Sequence, residues 1–220
     1  MFIGHYGVSL AAKRFVPRTS LGTLFVAVQL LDVLFAIFVL AGLEKLRIVP
    51  GFTQYNPYDL YYMPYSHGLV GALAWSVAAG LLVLAFRTPR AAMWIAAAVF
   101  SHFLLDVPMH TPDMPILGND STKLGWGLWQ HRDLALAAEL VALAIGLWMW
   151  RLAPALKPWP RARALAFAGL LVALTLATPF LPAPRDSNQF AWQALAGYFM
   201  LAALAGWLDR TRSGAPSTRS

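Results

Sequence analysis

Residues 91–107 read AAMWIAAAVFSHFLLDV, an apolar run interrupted only by Ser101, His102 and Asp106. The run approaches the ~20 apolar residues that a helix needs to cross a bilayer. An ionised aspartate near the bilayer interior costs roughly 3 kcal/mol or more when it has no partner. We therefore predict a membrane-spanning helix whose polar residues belong to a site.

Five further apolar runs occupy residues 21–43, 67–86, 134–150, 164–181 and 190–208. The chain is 59% hydrophobic and 12% charged, whereas soluble domains carry about 25% charged residues. These features predict an all-α, polytopic membrane helix bundle of about six transmembrane helices over residues 20–209. Residues 1–19 are predicted to form an interfacial or re-entrant segment. The polar residues 210–220 are predicted to be a disordered tail.

The orientation of the bundle follows from its 17 lysines and arginines. Most of them fall in both terminal segments and in the connections at residues 87–90 and 151–163, and few fall in the other connections. The positive-inside rule therefore predicts that both termini are cytoplasmic. The net charge of +7 is spread between apolar runs, so we expect no nucleic-acid partner. The long outer connection at residues 44–66 holds five of the seven tyrosines, which indicates either an aromatic belt or a lid over a site.

His102 and Asp106 are four residues apart and hence lie on one face of a helix. An imidazole and a carboxylate in that arrangement can chelate one divalent ion such as zinc. The alternative is a His–Asp hydrogen bond that only joins helices. His110 follows four residues later, although Pro108 is expected to bend the last turn. The chain contains no cysteine, which excludes thiolate ligands.

Further candidate ligands should lie at a similar depth in the bundle. In the predicted orientation, His67, His102, His110 and His131 all lie near outward-facing helix ends. Asp32 lies inside the first run, about 18 Å along the helix at 1.5 Å per residue. We predict that these residues share a metal site with Asp106.

His5 joins this site only if the first twelve residues form a re-entrant helix, which is allowed when it is buried against protein. The alternative is an interfacial helix that lies flat, with His5 solvated.

The order His5, Asp32, Ser66-His67-Gly68 and His102-x3-Asp106 resembles that of bacterial membrane-bound metal-dependent hydrolases over residues 1–131. The order is also similar to that of the zinc phospholipase C and P1 nuclease group, which is soluble and all-helical. The resemblance implies a bacterial inner-membrane protein whose site faces the periplasm. It further implies one to three zinc ions, one held by Asp32, His67, His102 and Asp106, a second near His110 and His131, and a third near His5. Ala135 stands where the second group has a last acidic ligand.

These observations predict a metal-dependent hydrolase that acts on a membrane lipid or a lipid-linked ester or phosphodiester. Asp133 or Asp113 would be the general base, although a loop aspartate more often stabilises a turn. The alternatives are an ion or metal transporter, a cofactor-binding carrier and a protein with only a structural role. Gly169, Gly197 and Gly206 are predicted to permit close helix packing.

Overall fold

The computed structural model describes residues 3–152 and 161–210, and this part of the chain is mostly helical. It contains eight α-helices: α1 His5–Ala12, α2 Leu21–Val28, α3 Leu30–Leu40, α4 Leu69–Leu84, α5 Pro89–Met109, α6 Arg132–Arg151, α7 Arg161–Ala177 and α8 Ser187–Arg210. Four stretches are long and apolar enough to cross a membrane, namely α5, α6, Ala162–Phe180 and α8 up to Asp209. The predicted helical membrane architecture is confirmed at this level. Residues 211–220, where most of the predicted tail falls, lie outside the described residues.

The first predicted span is broken rather than continuous. Helices α2 and α3 meet at Gln29 with a bend of 56°, and together they have the length and apolarity of one further span. Gln29 is completely buried at this bend. Helix α4, with 16 residues, is shorter than the other spans, so helix length alone supports four or five spans.

The two long connections carry strands that the all-α prediction omitted. Strands β1 Lys45–Ile48 and β2 Tyr58–Tyr62 form one antiparallel pair, and β3 Met114–Pro115 and β4 Lys123–Leu124 form another. In β1, the exposed Lys45 and Arg47 alternate with Leu46, which is buried. Such alternation is typical of a strand with one covered face. The connections therefore satisfy backbone hydrogen bonds by pairing with themselves.

Helix α1 is a buried element that packs against α6, α2 and α5. A Cβ atom on Gly7 would overlap the Ala142 carbonyl of α6, and one on Gly146 would overlap the Gly7 backbone. The backbone N–H of Gly4 donates to the buried Glu139 at 2.8 Å. His5 has no exposed surface, so the structure differs from the alternative of a flat helix with a solvated histidine.

A partly buried ion pair joins the opposite end of α1 to the end of α8. The Lys13 ammonium lies 2.6 Å from the Asp209 carboxylate, which also accepts the Leu21 N–H at 2.9 Å. Nearby, Gly22 of α2 and Gly206 of α8 approach so closely that a Cβ on Gly22 would overlap α8. The first, second and last helices are thus joined at one end of the bundle.

Candidate metal centre

Helix α5 carries His102 and Asp106, and His110 follows at its end. His102 and Asp106 are both buried, and His102 Nε2 lies 3.0 Å from Asp106 Oδ2. Pro108 lies inside α5, which continues to Met109. The expected bend does not separate His110, whose Nε2 is 3.7 Å from Asp106 Oδ2.

Asp32 from α3 and His67 from the segment before α4 complete a group of four. His67 Nε2 lies 3.3 Å from Asp32 Oδ1 and 3.7 Å from Asp106 Oδ2. His102 Nε2 is 3.5 Å from the same Asp32 oxygen. Bonds of ~2.0–2.1 Å to a tetrahedral zinc ion would place neighbouring ligand atoms ~3.3 Å apart. These four His–Asp separations are close to that value, and the ligand atoms of Asp32, His67 and His102 all lie within 4.8 Å of one another.

Hydrogen bonds at the outer ring nitrogens orient two of the imidazoles. His102 Nδ1 lies 2.8 Å from the Val28 carbonyl, and His110 Nδ1 lies 2.9 Å from Asp113 Oδ1. A carbonyl and an ionised carboxylate only accept hydrogen bonds, so Nδ1 is the donor in both rings. In its neutral form each imidazole then presents an Nε2 lone pair towards Asp106, as metal-binding histidines do.

His67 is oriented through a serine and a buried glutamate. The Ser66 hydroxyl donates to Glu44 Oε2 at 2.6 Å and therefore accepts from His67 Nδ1 at 2.8 Å. Glu44 also accepts the backbone N–H groups of Tyr65 and Ser66. Burial raises the pKa of the Glu44 carboxyl above its ordinary value. The relay leaves the His67 Nε2 lone pair facing Asp32 and Asp106.

The arrangement concentrates negative potential in a buried place. His102 Nε2 is buried and makes no hydrogen bond, although two carboxylates lie within 3.5 Å of it. In its neutral form the His102 imidazole directs a lone pair at these carboxylates, and the two repel where the local dielectric is low. A cation between them removes this repulsion. The buried His and Asp residues can therefore hold a metal ion.

His5 adds a second, overlapping group. Its Nε2 lies 3.5 Å from Asp106 Oδ1 and 3.3 Å from the His102 carbonyl, and the two imidazole rings stack at 3.9 Å. The ligand atoms of His5, His102 and Asp106 all lie within 4.8 Å of one another. Asp106 therefore directs one oxygen towards His5 and the other towards the remaining histidines.

The structure does not bring His131 and Asp133 to the centre. Both are exposed at the beginning of α6, and neither lines the cavity beside the cluster. The preceding 3₁₀ turn, Leu128–Gln130, instead places Trp129 against the ring of His110 at 4.2 Å. Asp113, the other candidate base, accepts from His110 and from the Thr111 hydroxyl.

Sequence reasoning missed the supporting residues Glu44 and Tyr198, and it named Ser66 only as part of the Ser66-His67-Gly68 motif. Glu44 and Ser66 are 22 positions apart, and no periodicity connects them. Tyr198 of α8 donates its hydroxyl to Asp32 Oδ2 at 3.0 Å. A signal for Tyr198 existed, because it shares the buried face of α8 with Ala191 and Leu201.

A cavity of about 260 Å³ opens beside the cluster. Asp32, His67, Asp106 and His110 lie in its lining, and its walls are mostly apolar. Phe35 and Phe190 form part of these walls, and the 3₁₀ turn Thr178–Phe180 leads to the exposed Leu181 at the rim. The centre is therefore reached through a largely apolar chamber.

Comparison with known proteins finds no matching family model, no similar curated protein and no similar solved structure.

Proposed function

We propose that this protein is a metal-dependent membrane hydrolase that acts on a lipid or a lipid-linked ester or phosphodiester. The single observation that carries the proposal is the convergence of Asp32, His67, His102 and Asp106, whose His–Asp separations of 3.0–3.7 Å suit the sharing of a metal ion. We assign zinc, because imidazole nitrogen and carboxylate oxygen in a tetrahedral set are its usual ligands.

We further propose six membrane crossings, with the α2–α3 pair and α4 counted as spans. The distribution of lysine and arginine supports cytoplasmic termini and a centre towards the outer side of the membrane, which we propose is a bacterial inner membrane. Discontinuous helices are tolerated within a membrane where they line a site, which suits the bend at Gln29 beside Asp32.

A zinc ion held there would polarise the scissile carbonyl or phosphoryl group and make water a stronger nucleophile near neutral pH. The residues of the chain would orient the metal ligands and accept the proton of the attacking water. His110 stands outside the set of four, lines the cavity and is held by Asp113. We assign His110 as the group that accepts a proton from water, in place of Asp133. The apolar cavity walls suit the hydrocarbon part of a lipid.

Transport of a metal ion or proton is the second candidate, because buried ionisable residues within spans also mark ion pathways. Its supporting observation is the same cluster, so an experiment must separate binding, turnover and flux.

The test uses the purified full chain in detergent, loaded with zinc, together with Asp106→Asn and the exposed matched control Asp133→Asn. We expect about one zinc per chain or more in the wild type and the control, and a marked loss in Asp106→Asn. Chromogenic long-chain esters and phosphodiesters should show chelator-sensitive hydrolysis that falls by at least ~100-fold in Asp106→Asn.

Equal metal content in the wild type and both variants would show that the proposed metal centre is wrong. Normal zinc content without hydrolysis, but with zinc uptake into proteoliposomes, would replace the hydrolase with the transporter.

A further inference from the structure

A second cleft lies at the end of the bundle remote from the metal cluster. It has a volume of about 1220 Å³ and lies between residues 15–20 before α2 and the turn that joins α4 to α5. Arg90 and Asp106 are 16 residues apart on α5, which corresponds to ~24 Å along the helix. The cleft is thus separate from the centre and does not rest on the proposed hydrolase.

Three exposed arginines line this cleft: Arg18, Arg87 and Arg90. In the described part of the chain no carboxylate lines the cleft with them. Asp209, which lies at the same end, is occupied by Lys13. We call the cleft lined by Arg18, Arg87 and Arg90 the basic cleft.

Two helices also begin at the basic cleft. Ser20 caps α2 by accepting the Thr23 N–H, and Thr88 caps α5 by accepting the Ala91 N–H. Both capping residues are part of the lining. The positive ends of two helix dipoles therefore add to the charge of the arginines and favour an anion.

Apolar side chains form another part of the lining, and two of them are largely exposed. Leu82 and Phe86 are 65% and 77% exposed beside the arginines. Phe15, also in the lining, is held in place by stacking on Trp94 at 4.4 Å. The volume exceeds the ~300–1,000 Å³ of typical small-molecule sites. A ligand that matches both the arginines and the apolar side chains carries an anionic headgroup and a hydrocarbon tail.

We propose that the basic cleft binds an anionic phospholipid of the surrounding membrane, with its phosphate beside the arginines and its acyl chains along Leu82 and Phe86. Basic clefts between membrane helices on the cytoplasmic side are suited to such headgroups. By the positive-inside rule, this end of the bundle lies in the cytoplasmic leaflet of the membrane.

The test measures binding of phosphatidylglycerol to the purified full chain by native mass spectrometry, with phosphatidylcholine as the neutral lipid. The test variant combines Arg18→Gln, Arg87→Gln and Arg90→Gln. The matched control combines Arg14→Gln, Arg151→Gln and Arg163→Gln, which remove the same charge from exposed positions outside the cleft. Since each arginine near an anionic surface contributes about fivefold, the test variant should bind phosphatidylglycerol ~100-fold more weakly.

We expect the control variant to stay within about threefold of wild type and to exceed the test variant. If the two variants lose the same affinity for phosphatidylglycerol, general surface charge explains the binding and the proposal is wrong. Glycerol phosphate, which has no acyl chains, should bind far more weakly than phosphatidylglycerol, and equal binding would also overturn it. Weakening of wild-type lipid binding by added salt supplies a test that needs no variant, and salt-insensitive binding would contradict the proposal.

Discussion

Two sets of ionisable groups stand at opposite ends of this bundle, and they differ in composition. At one end, Lys13 and Asp209 form a partly buried ion pair at 2.6 Å. At the other end, Asp32 and Asp106 lie within 3.7 Å of histidine nitrogens. The first set joins a cation to a carboxylate, whereas the second is a cluster of His and Asp residues that could hold a metal ion.

This difference indicates how buried charges are used in one protein. A balanced pair holds helices together and needs no ligand, although its net contribution to stability is often small. A buried cluster of carboxylates and imidazoles is costly unless its charges are compensated, and a bound metal ion is one group that compensates them. The predictions below test whether the two sets respond in these two ways.

The largest effect is expected from the metal ligands. Replacing His102 with alanine removes one of four donors, and zinc affinity should fall by at least ~100-fold, more than is usual for residues that only orient ligands. Titration of the apo protein with zinc against a competing chelator measures the change. Lys13→Met should leave zinc affinity unaltered, and a similar loss there would erase the distinction between the two ends.

The second effect concerns the balanced pair. Lys13→Met removes the Lys13 cation from the partly buried Asp209 carboxylate, which should lower the free energy of unfolding by about 1–3 kcal/mol. Adding Asp209→Asn should restore most of this loss, because asparagine can still accept the Leu21 N–H. Chemical unfolding in detergent micelles measures both proteins. A double variant as unstable as the single one would show that the pair itself contributes the stability.

A smaller effect is expected from the relay behind His67. Ser66→Ala removes the acceptor that orients the imidazole, and zinc affinity should fall by about 10–100-fold. Ser76→Ala is a matched control, because Ser76 is also buried and donates to the Ala72 carbonyl within α4. If both serine variants lose the same affinity, the relay has no specific role.

The smallest effect is a pH dependence from Glu44. Burial raises the pKa of this carboxyl in the folded protein, so the folded state holds the proton more tightly than the unfolded chain does. Its contribution to stability is therefore greatest below the unfolded pKa, and it declines as pH rises through the folded pKa. The melting temperature of the metal-free wild type, measured relative to Glu44→Gln, should decline over that window. A difference that grows with pH would contradict the assigned direction.

The positions of His102 and Asp106 could be predicted because helix geometry places residues four apart on one face. The proximity of His67 and Asp32 to this pair was predicted less directly, from the helix ends that face the same side of the membrane. The order of helix ends was misleading for His131, because a short 3₁₀ turn precedes α6 and leaves this residue exposed. The glycine predictions were similarly mixed. Gly206 does lie against Gly22, whereas Gly169 and Gly197 have nothing within 4 Å where a Cβ would stand.

The amino-acid sequence determined the apolar helices and the His102–Asp106 pair, because both depend on composition and on a period of 3.6 residues. Only the tertiary structure decided that His5 is buried, since its position requires close contact of α1 and α6 at Gly7 and Gly146. It also decided the partners of His67 and Asp32, namely Ser66 with Glu44, and Tyr198. Such contacts join distant parts of the chain, and local periodicity carries no record of them.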